Sequence, residues 1–203
     1  MYNFFKNIYL FSISLLRLFN SKLKSYFNFI LPNLRFLISK RVFYYQLPSC
    51  NQKTYLTGRG HIVFGENCVL GYKPGGFHRG GAIEFQVRYE NSVIKIGNRV
   101  ATNNNVFICA ANRIEIGDNT RIGQYVTMMD FEAHGIQPND RSKVGEIGEI
   151  VIGTNVWLGN NVTILKNSSI GNNTIVATGA VVSGVFPSNV IIGGVPAKII
   201  KKV

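Results

Sequence analysis

Acidic residues are scarce in this sequence. Only 10 Asp or Glu occur among 203 residues, against 22 Lys or Arg, and charged residues make up 16% of the chain. A helical protein usually needs more charge, because each surface helix carries a solvated face. The imbalance is greatest in residues 1–47, which contain no acid and seven basic residues: Lys6, Arg17, Lys22, Lys24, Arg35, Lys40 and Arg41.

Paired metal and disulfide motifs are also missing. The three cysteines, at positions 50, 68 and 109, form no CxxC pair. Such an odd, scattered set predicts reduced thiols and a cytosolic protein rather than a disulfide framework. The three histidines, at positions 61, 78 and 134, lack the spacing of metal ligands. We therefore expect no metal.

No apolar run is long enough to span a bilayer, which takes about 20 residues. The apolar stretch 4–19 is interrupted by Lys6 and Arg17 and is followed by no cleavage site. Polar residues recur in it at steps of three and four, which indicates an amphipathic helix. A second segment of this kind, Lys22 to Leu31, is predicted to end at Pro32.

Residues 1–47 are thus predicted to be an amphipathic helical extension. A purely basic, aromatic-rich segment of this kind suits the surface of an anionic membrane, so we expect a cytoplasmic protein in peripheral contact with the inner face of the cell membrane. The alternative is that these helices pack on the main domain or on a partner subunit. No concentrated basic stripe occurs in the rest of the chain, so nucleic acid is not an expected partner.

A repeat of six residues runs through the rest of the chain. Stepping by six from residue 152 gives only aliphatic residues: Ile152, Leu158, Ile164, Ile170, Val176 and Val182. The same frame returns earlier, at Ile116, Ile122 and Met128 and at Ile96, Thr102 and Ile108. A period of six fits neither a helix nor a long strand. It fits short strands joined by turns, three to a triangular coil, with the aliphatic residue always inside. An all-β solenoid over residues 48–203 is predicted.

Two stretches make the resemblance specific: Asn155-Val156-Trp157-Leu158-Gly159 and Gly194-Val195-Pro196-Ala197-Lys198. With the repeats around them, they resemble the hexapeptide-repeat, left-handed β-helix acyltransferases. The resemblance covers roughly residues 60–203 and is strongest from residue 96 onward. It implies a left-handed parallel β-helix, a homotrimer, and acetyl-CoA lying between the coils of neighbouring subunits.

The repeat breaks after Met128, where the chain reads Asp130-x-Glu132-x-His134 before a loop. Alternate side chains of an extended segment share one face, so a carboxylate is predicted beside the imidazole. A carboxylate there fixes the tautomer of His134 and stabilises the imidazolium, as a general base requires. Acyl transfer to a sugar hydroxyl needs such a base. The resemblance implies that His134 is it, with Asp130 or Glu132 orienting it; the plain alternative is an exposed loop histidine without a role.

The resemblance also implies where the two substrates bind. For the acetyl-CoA donor the matching residues are Asn160, Thr178, Gly179, Ser183, Gly184, Lys198 and Lys201. For the glycan acceptor they are Asn103 and Asn105, with Trp157 of the matching motif. Arg141, in the loop after His134, can pair with a carboxylate of an acidic sugar or with a CoA phosphate, or it can be only a solvated loop charge. The lysines can neutralise nucleotide phosphates, or they can form only a solvated basic tail. Trp157 can wall the acetyl site or pack at a coil corner.

The function expected is O-acetylation of a sugar hydroxyl on a cell-surface polysaccharide or its lipid-linked precursor, by direct transfer without an acyl-enzyme. A second enzymatic possibility is N-acetylation of an amino sugar or nucleotide sugar, which an added nucleotide-binding unit would favour. A non-catalytic β-helix scaffold is a third possibility, and the interrupted coil at His134 argues against it.

Overall fold

The computed structural model describes residues 19–72 and 80–203, so the segment 1–18 of the expected amphipathic helix and His78 lie outside the described residues. The described chain forms a β-helix of three sheets, in which successive coils pair through parallel strands three places apart in the sequence and the last two strands pair antiparallel. We name them sheets A, B and C.

Each complete coil contributes one strand to each sheet in turn. Sheet A contains β1 (Val42–Tyr44), β4 (His61–Phe64), β7 (Val93–Ile96), β10 (Arg113–Ile116), β13 (Glu149–Ile152), β16 (Ser168–Ile170) and β19 (Val185–Phe186). Sheet B contains β2 (Ser49–Cys50), β5 (Val69–Leu70), β8 (Ala101–Thr102), β11 (Arg121–Ile122), β14 (Trp157–Leu158), β17 (Ile175–Val176), β20 (Val190–Gly194) and β21 (Ala197–Lys202). Sheet C contains β3 (Thr54–Gly58), β6 (Ile83–Val87), β9 (Phe107–Ala110), β12 (Thr127–Met129), β15 (Thr163–Ile164) and β18 (Val181–Val182).

The predicted inward ladder is confirmed. All six aliphatic residues of the repeat from Ile152 to Val182 are at most 2% exposed. They stack in register from coil to coil, as in the pairing of Met128 with Ile164 and of Ile164 with Val182 in sheet C. A six-residue step therefore returns the chain to the interior at every side of the triangle, and burial of these ladders supplies the core.

The corners explain the many asparagines. At the corner between sheets A and B, one residue in each of six turns adopts a positive φ, and five of these six residues are asparagine: Asn67, Arg99, Asn119, Asn155, Asn173 and Asn189. Asparagine tolerates this left-handed conformation better than most residues. The side chains also stack, because Asn155 Nδ2 donates to Asn173 Oδ1 at 3.0 Å and Asn173 Nδ2 donates to Asn189 Oδ1 at 2.9 Å.

A helical cap closes the first coil. It consists of helix α1 (residues 19–25), a π-helical turn (Tyr26–Ile30), a 3-10 turn (Leu31–Asn33) and helix α2 (Leu34–Ile38). Pro32 does not end the helical path as predicted. It lies in the first turn of the 3-10 segment, where the missing N–H of proline leaves no hydrogen bond unmade.

Cap side chains bond to the backbone of the first coil. The buried Asn33 donates from Nδ2 to the Thr54 carbonyl oxygen at 2.8 Å, and its Oδ1 accepts from the Leu56 N–H at 2.7 Å. The Ser25 hydroxyl donates to the Pro48 carbonyl oxygen at 3.0 Å and accepts from the Cys50 N–H at 3.1 Å. Residues 19–38 therefore pack on the main domain, and the β-helix begins at Val42, inside the range 1–47 assigned to the extension.

The outer face of this cap remains apolar. Phe19, Leu23, Phe27, Leu31 and Ile38 are each at least 43% exposed. Within residues 19–72 and 80–203, no helix is both long enough and apolar enough to cross a bilayer.

Candidate active site

The longest excursion from the coil that the structure describes in full is the loop 130–148, which joins β12 to β13 at the corner between sheets C and A. Its neck is tied by Asp130, a fully buried residue whose carboxylate accepts from the N–H of Ala111 at 2.6 Å and of Asn112 at 2.9 Å. Burial raises the pKa of Asp130, and these backbone donors oppose that rise. The Gly148 N–H donates back to the Asp130 carbonyl oxygen at 2.7 Å, so both ends of the loop meet at one point.

His134 lies on this loop with an exposed side chain. Its Nδ1 lies 2.7 Å from the carbonyl oxygen of Arg141. A carbonyl oxygen can only accept, so the neutral imidazole carries its proton on Nδ1 and a lone pair on Nε2. The Arg141 guanidinium donates to the Gly135 carbonyl oxygen at 3.3 Å, which holds the two sides of the loop together. The loop itself therefore fixes the tautomer that a general base needs.

The two acids expected beside the imidazole, Asp130 and Glu132, bond to other groups in this structure. Asp130 is buried in the neck, and Glu132 lies 3.4 Å from Lys166 and accepts the Glu146 N–H at 3.3 Å. Among the described residues no carboxylate bonds to His134. The alternation rule failed because the chain turns inward at Asp130 and curls at the loop instead of staying extended.

Lys166 is a site residue that sequence reasoning missed. It lies one coil beyond the loop and pairs with both Glu132 and Glu146. The bond to Lys166 lowers the pKa of Glu146, and the bond to Glu146 raises the pKa of Lys166. Asn167 Nδ2 adds a bond to Glu146 Oε1 at 3.0 Å. The available signal was a lysine on the coil corner directly after the loop, with two acids within the loop.

Asn103 and Asn105 lie at the corner between sheets B and C. Asn103 Oδ1 accepts the Asn104 N–H at 2.8 Å. Asn105 has a positive φ and exchanges two bonds with Gln52, since its N–H donates to Gln52 Oε1 and its Oδ1 accepts from Gln52 Nε2, both at 2.8 Å. These contacts shape the corner, and the role of Gln52 was not foreseen.

The residues expected to bind the donor cluster around the last strand of sheet C. Thr178 and Gly179 precede β18, and Ser183 and Gly184 follow it. Asn160 is one coil below, where its carbonyl oxygen accepts the Gly179 N–H at 2.9 Å. Since β18 ends the order of sheet C strands in the described chain, one of its edges carries no further strand.

Trp157, Lys198 and Lys201 lie on sheet B instead. Trp157 is 56% exposed and stacks between Arg121 and Ile175 on the outer face. It does not pack into a coil corner, which was the plain alternative for it. The exposed Lys198 and Lys201 lie on β21, antiparallel to β20. A single chain thus carries the His134 loop at one corner and Trp157 on a sheet facing another direction.

The described cysteines are poor candidates for a nucleophile. All three described thiols are free and buried, and burial raises the pKa of Cys109 to about 11. At neutral pH this thiol is protonated, which makes it a poor nucleophile. Within the described residues no group of three or more His, Cys, Asp or Glu is placed to hold a metal ion.

Comparison with known proteins gives this geometry a context. The family model "Bacterial transferase hexapeptide (six repeats)" matches residues 149–184. WbbJ of Escherichia coli K12, which carries the provisional name of a lipopolysaccharide biosynthesis O-acetyl transferase, is 35% identical over 182 residues, or 83% of this chain and 85% of that protein. The galactoside O-acetyltransferase of the same strain is 34% identical over 114 residues, or 55% of each chain.

Solved structures agree on the fold. A galactoside acetyltransferase in complex with coenzyme A superposes with a TM-score of 0.57 and 25% identity, covering 91% of this chain and 79% of the other. The polySia-specific acetyltransferase NeuO superposes with a TM-score of 0.61 at 22% identity, covering 79% of this chain and 66% of that one, which speaks for the fold alone.

Proposed function

This chain belongs to the hexapeptide-repeat acyltransferases, and we propose that within the family it transfers an acetyl group from acetyl-CoA to a sugar hydroxyl of a cell-surface polysaccharide or its lipid-linked precursor. The O-acetyltransferase names of its relatives support the reaction class. WbbJ, similar over most of both chains, supports a surface glycan as the acceptor. The observation that carries the proposal is the bond between His134 Nδ1 and the Arg141 carbonyl oxygen.

His134 acts as the general base in this proposal. Acetyl-CoA supplies the acetyl group as a thioester. The Nε2 lone pair takes the proton of the acceptor hydroxyl while that oxygen bonds to the thioester carbonyl carbon. As the carbon–sulfur bond breaks, Nε2–H returns the proton to the leaving sulfur, so the imidazole ends neutral. The Arg141 carbonyl oxygen accepts from Nδ1–H throughout and stabilises the transient imidazolium, as a carboxylate does in other sites.

The donor is proposed to lie along the exposed edge of β18. An extended pantetheine chain carries two amide groups, and an open strand edge offers the backbone N–H and C=O groups that pair with amides. Gly179 has a positive φ and open space beside its Cα, so the backbone there is accessible to a ligand. Thr178, Ser183 and Gly184 flank β18, Asn160 lies one coil below it, and Lys198 and Lys201 supply positive charge for the nucleotide phosphates.

The acceptor is proposed to meet His134 from a surface that includes Asn103, Asn105, Arg141 and Trp157. These residues face different directions in one chain, so the complete site needs a neighbouring subunit. We therefore propose a homotrimer, with left-handed coils as the family resemblance implies. The exposed Trp157, Val185 and Val195 supply apolar surface for such contacts. Light scattering that finds an active monomer would contradict this assembly.

We further propose that the protein works in the cytoplasm, in peripheral contact with the inner face of the cell membrane. The apolar outer face of the cap and the exposed Lys22 and Lys24 support this location.

The reaction is tested by incubating the full-length protein with acetyl-CoA and candidate glycans and analysing the products by mass spectrometry. The His134→Ala variant should lose at least about 100-fold in turnover, which is what a positioned base contributes. Its thermal unfolding and CoA binding should match wild type. His61→Ala, which removes an exposed histidine on β4, is the matched control and should retain full activity. Near-normal turnover by His134→Ala would refute the mechanism.

A further inference from the structure

A cavity of about 710 Å³ lies where the cap meets the first strands, away from the donor end of the β-helix. Four arginines line it: Arg35, Arg41, Arg59 and Arg88. They come from separate parts of the chain, since Arg35 is on α2, Arg41 precedes β1, Arg59 follows β3 and Arg88 follows β6. We call this cavity the arginine pocket.

The arginine pocket has no carboxylate of its own. None of the residues that line it is Asp or Glu, and within residues 19–72 and 80–203 no ion pair involves any of the four arginines. Elsewhere the chain does pair its cations, as Arg113 does with Glu115 at 2.7 Å. Like charges that converge in a concave site repel one another and raise the local potential for an anion. The guanidinium fork matches phosphate oxygens in particular.

The arginine pocket is connected to the catalytic loop. The Arg88 guanidinium lies over the ring of Phe131 at 4.9 Å, and Phe131 is three residues before His134. Arg59 and Arg88 leave sheet C at the same corner as the loop 130–148, from strands three and two places before β12. Strands are about 4.8 Å apart, so the base of the loop is about 10–14 Å from these arginines along the solenoid.

We propose that the arginine pocket binds the diphosphate group of a diphosphate-linked glycan acceptor, while a hydroxyl of the attached sugars reaches His134. This assignment rests on the proposed sugar acetylation. A spacing of two to three strands corresponds to a short run of sugar units between the phosphate and the reacting hydroxyl. A diphosphate ester supplies the multiple negative charge that can neutralise four guanidiniums without a carboxylate partner among the described residues, and the cavity volume exceeds what one phosphate needs. The pocket thereby selects acceptors that still carry their diphosphate link.

Binding is measured first, without any catalysis. Isothermal titration of the full-length protein with inorganic pyrophosphate should give saturable binding. The double variant Arg35→Gln with Arg59→Gln should weaken that binding at least tenfold, because two of the four guanidiniums that line the pocket are lost. The double lysine variant at the same positions should bind pyrophosphate with an affinity between those of wild type and the double glutamine variant. Lysine keeps the positive charge but lacks the two parallel N–H donors of the guanidinium. Arg113→Gln, on the exposed face of β10, is the matched control and should bind as wild type does.

Kinetics and vesicle binding then distinguish the sources of phosphate. With the glutamine double variant, the ratio of kcat/KM for a water-soluble sugar diphosphate to kcat/KM for the free sugar should fall at least tenfold. Equal pyrophosphate binding by wild type and the double variant would overturn the proposal. So would a double variant that loses only binding to phosphatidylglycerol vesicles, since the pocket would then read a lipid headgroup. If wild type acetylates neither sugar, the proposed reaction fails, while the pyrophosphate titration still decides the arginine pocket.

Discussion

The two ends of this β-helix solve the same problem in different ways. A solenoid exposes unpaired backbone groups at its first and last coils, which invites unwanted strand pairing. At the first coil, side chains of the cap satisfy those groups: Ser25 bonds at β2 and Asn33 at β3. At the last coil, the chain itself folds back as β21 and covers only sheet B. Side chains therefore cover strand edges at the N-terminal end, whereas the C-terminal end keeps the edge of β18 open to a ligand.

Removing one side chain from the sealed end should have the largest effect on folding. Asn33→Ala leaves the Leu56 N–H and the Thr54 carbonyl oxygen buried without partners, which costs about 1–3 kcal/mol for each group. We expect the free energy of unfolding to fall by about 2–5 kcal/mol in chemical denaturation. Asn28→Ala removes a single part-buried bond to the Cys50 carbonyl oxygen and should cost only about 1 kcal/mol. Equal losses for both variants would mean that the cap is not held as described.

The apolar outer face of the cap is expected to bind membranes, and the C-terminal end of the β-helix is not. Replacing Leu23, Phe27 and Leu31 together by serine removes apolar side chains that are 43%, 54% and 46% exposed. We expect affinity for anionic vesicles to fall at least tenfold, because apolar burial contributes most of the interfacial binding of such a helix. The control is Val195→Ser, which removes a residue that is 72% exposed at the opposite end. Co-sedimentation at low salt measures both, and vesicle binding that is lost equally with Val195→Ser would contradict the assignment.

Substitution of the outer face of the cap tests membrane contact better than removal of residues 1–47 would. Residues 19–38 cap the first coil, and β1 begins at Val42. A truncated chain would expose strand edges, and any change in vesicle binding would be confounded by misfolding.

Lys166 ties the loop 130–148 to the regular coils of the C-terminal half, so its removal should loosen the loop and leave the core intact. For Lys166→Met we expect kcat/KM for the acceptor to fall by roughly 5–10-fold, a modest positioning effect. Thermal unfolding should change little, because the ion pairs of Lys166 lie at the surface, partly accessible to solvent, and such pairs contribute little to global stability. Hydrogen exchange of the segment 130–148 should accelerate. Lys143→Met, which breaks only the rim pair with Asp140, is the control and should leave exchange near the loop neck as it is.

The pH range of this effect follows from the pKa shifts. Glu146 has a lowered pKa, so its pairing is fully present above the ordinary carboxyl range and is lost as the pH falls through the lowered pKa. Lys166 has a raised pKa, so its contribution is present below the ordinary lysine range and is lost only as the pH rises through the raised pKa. The difference between wild type and Lys166→Met should therefore stay constant between about pH 6 and 9. A difference that vanishes within that window would show that another titrating group holds the loop.

The sequence predicted the repeated coils of the β-helix better than it predicted the cap and the loop 130–148. The ladder from Ile152 to Val182 followed from a period of six, because one aliphatic residue per strand is enough to define the inside of a coil. The cap did not follow, since Asn33 bonds to backbone groups more than 20 residues away and any strand offers such groups. The interruption of the repeat predicted the loop that carries His134, but the hydrogen-bond partner of His134 is a backbone carbonyl, which every residue possesses. Sequence patterns reveal what faces the core and reveal little about bonds from side chains to distant backbone.

The smallest effect on activity is expected for substitution of Cys109, which lies in the middle of the β-helix. Its side chain packs with Ala111 and with Phe131, which belongs to the loop 130–148. It is 1% exposed, and its Sγ donates to Gln86 Oε1 at 2.9 Å. Burial raises its pKa to about 11, so the reactive thiolate is absent at the pH of the assay.

Direct transfer and an acyl-enzyme pathway make opposite predictions for this residue. If His134 deprotonates the acceptor hydroxyl and that hydroxyl attacks acetyl-CoA directly, Cys109→Ala should change kcat by less than about twofold. Only a weak hydrogen bond and a small packing contact are lost. Intact mass spectrometry of wild type mixed with acetyl-CoA and no acceptor should show no added acetyl group. A stable adduct on wild type that disappears in Cys109→Ala, together with a large loss of turnover, would require a covalent pathway. In that pathway His134 would deprotonate the Cys109 thiol for attack on acetyl-CoA, rather than the sugar hydroxyl.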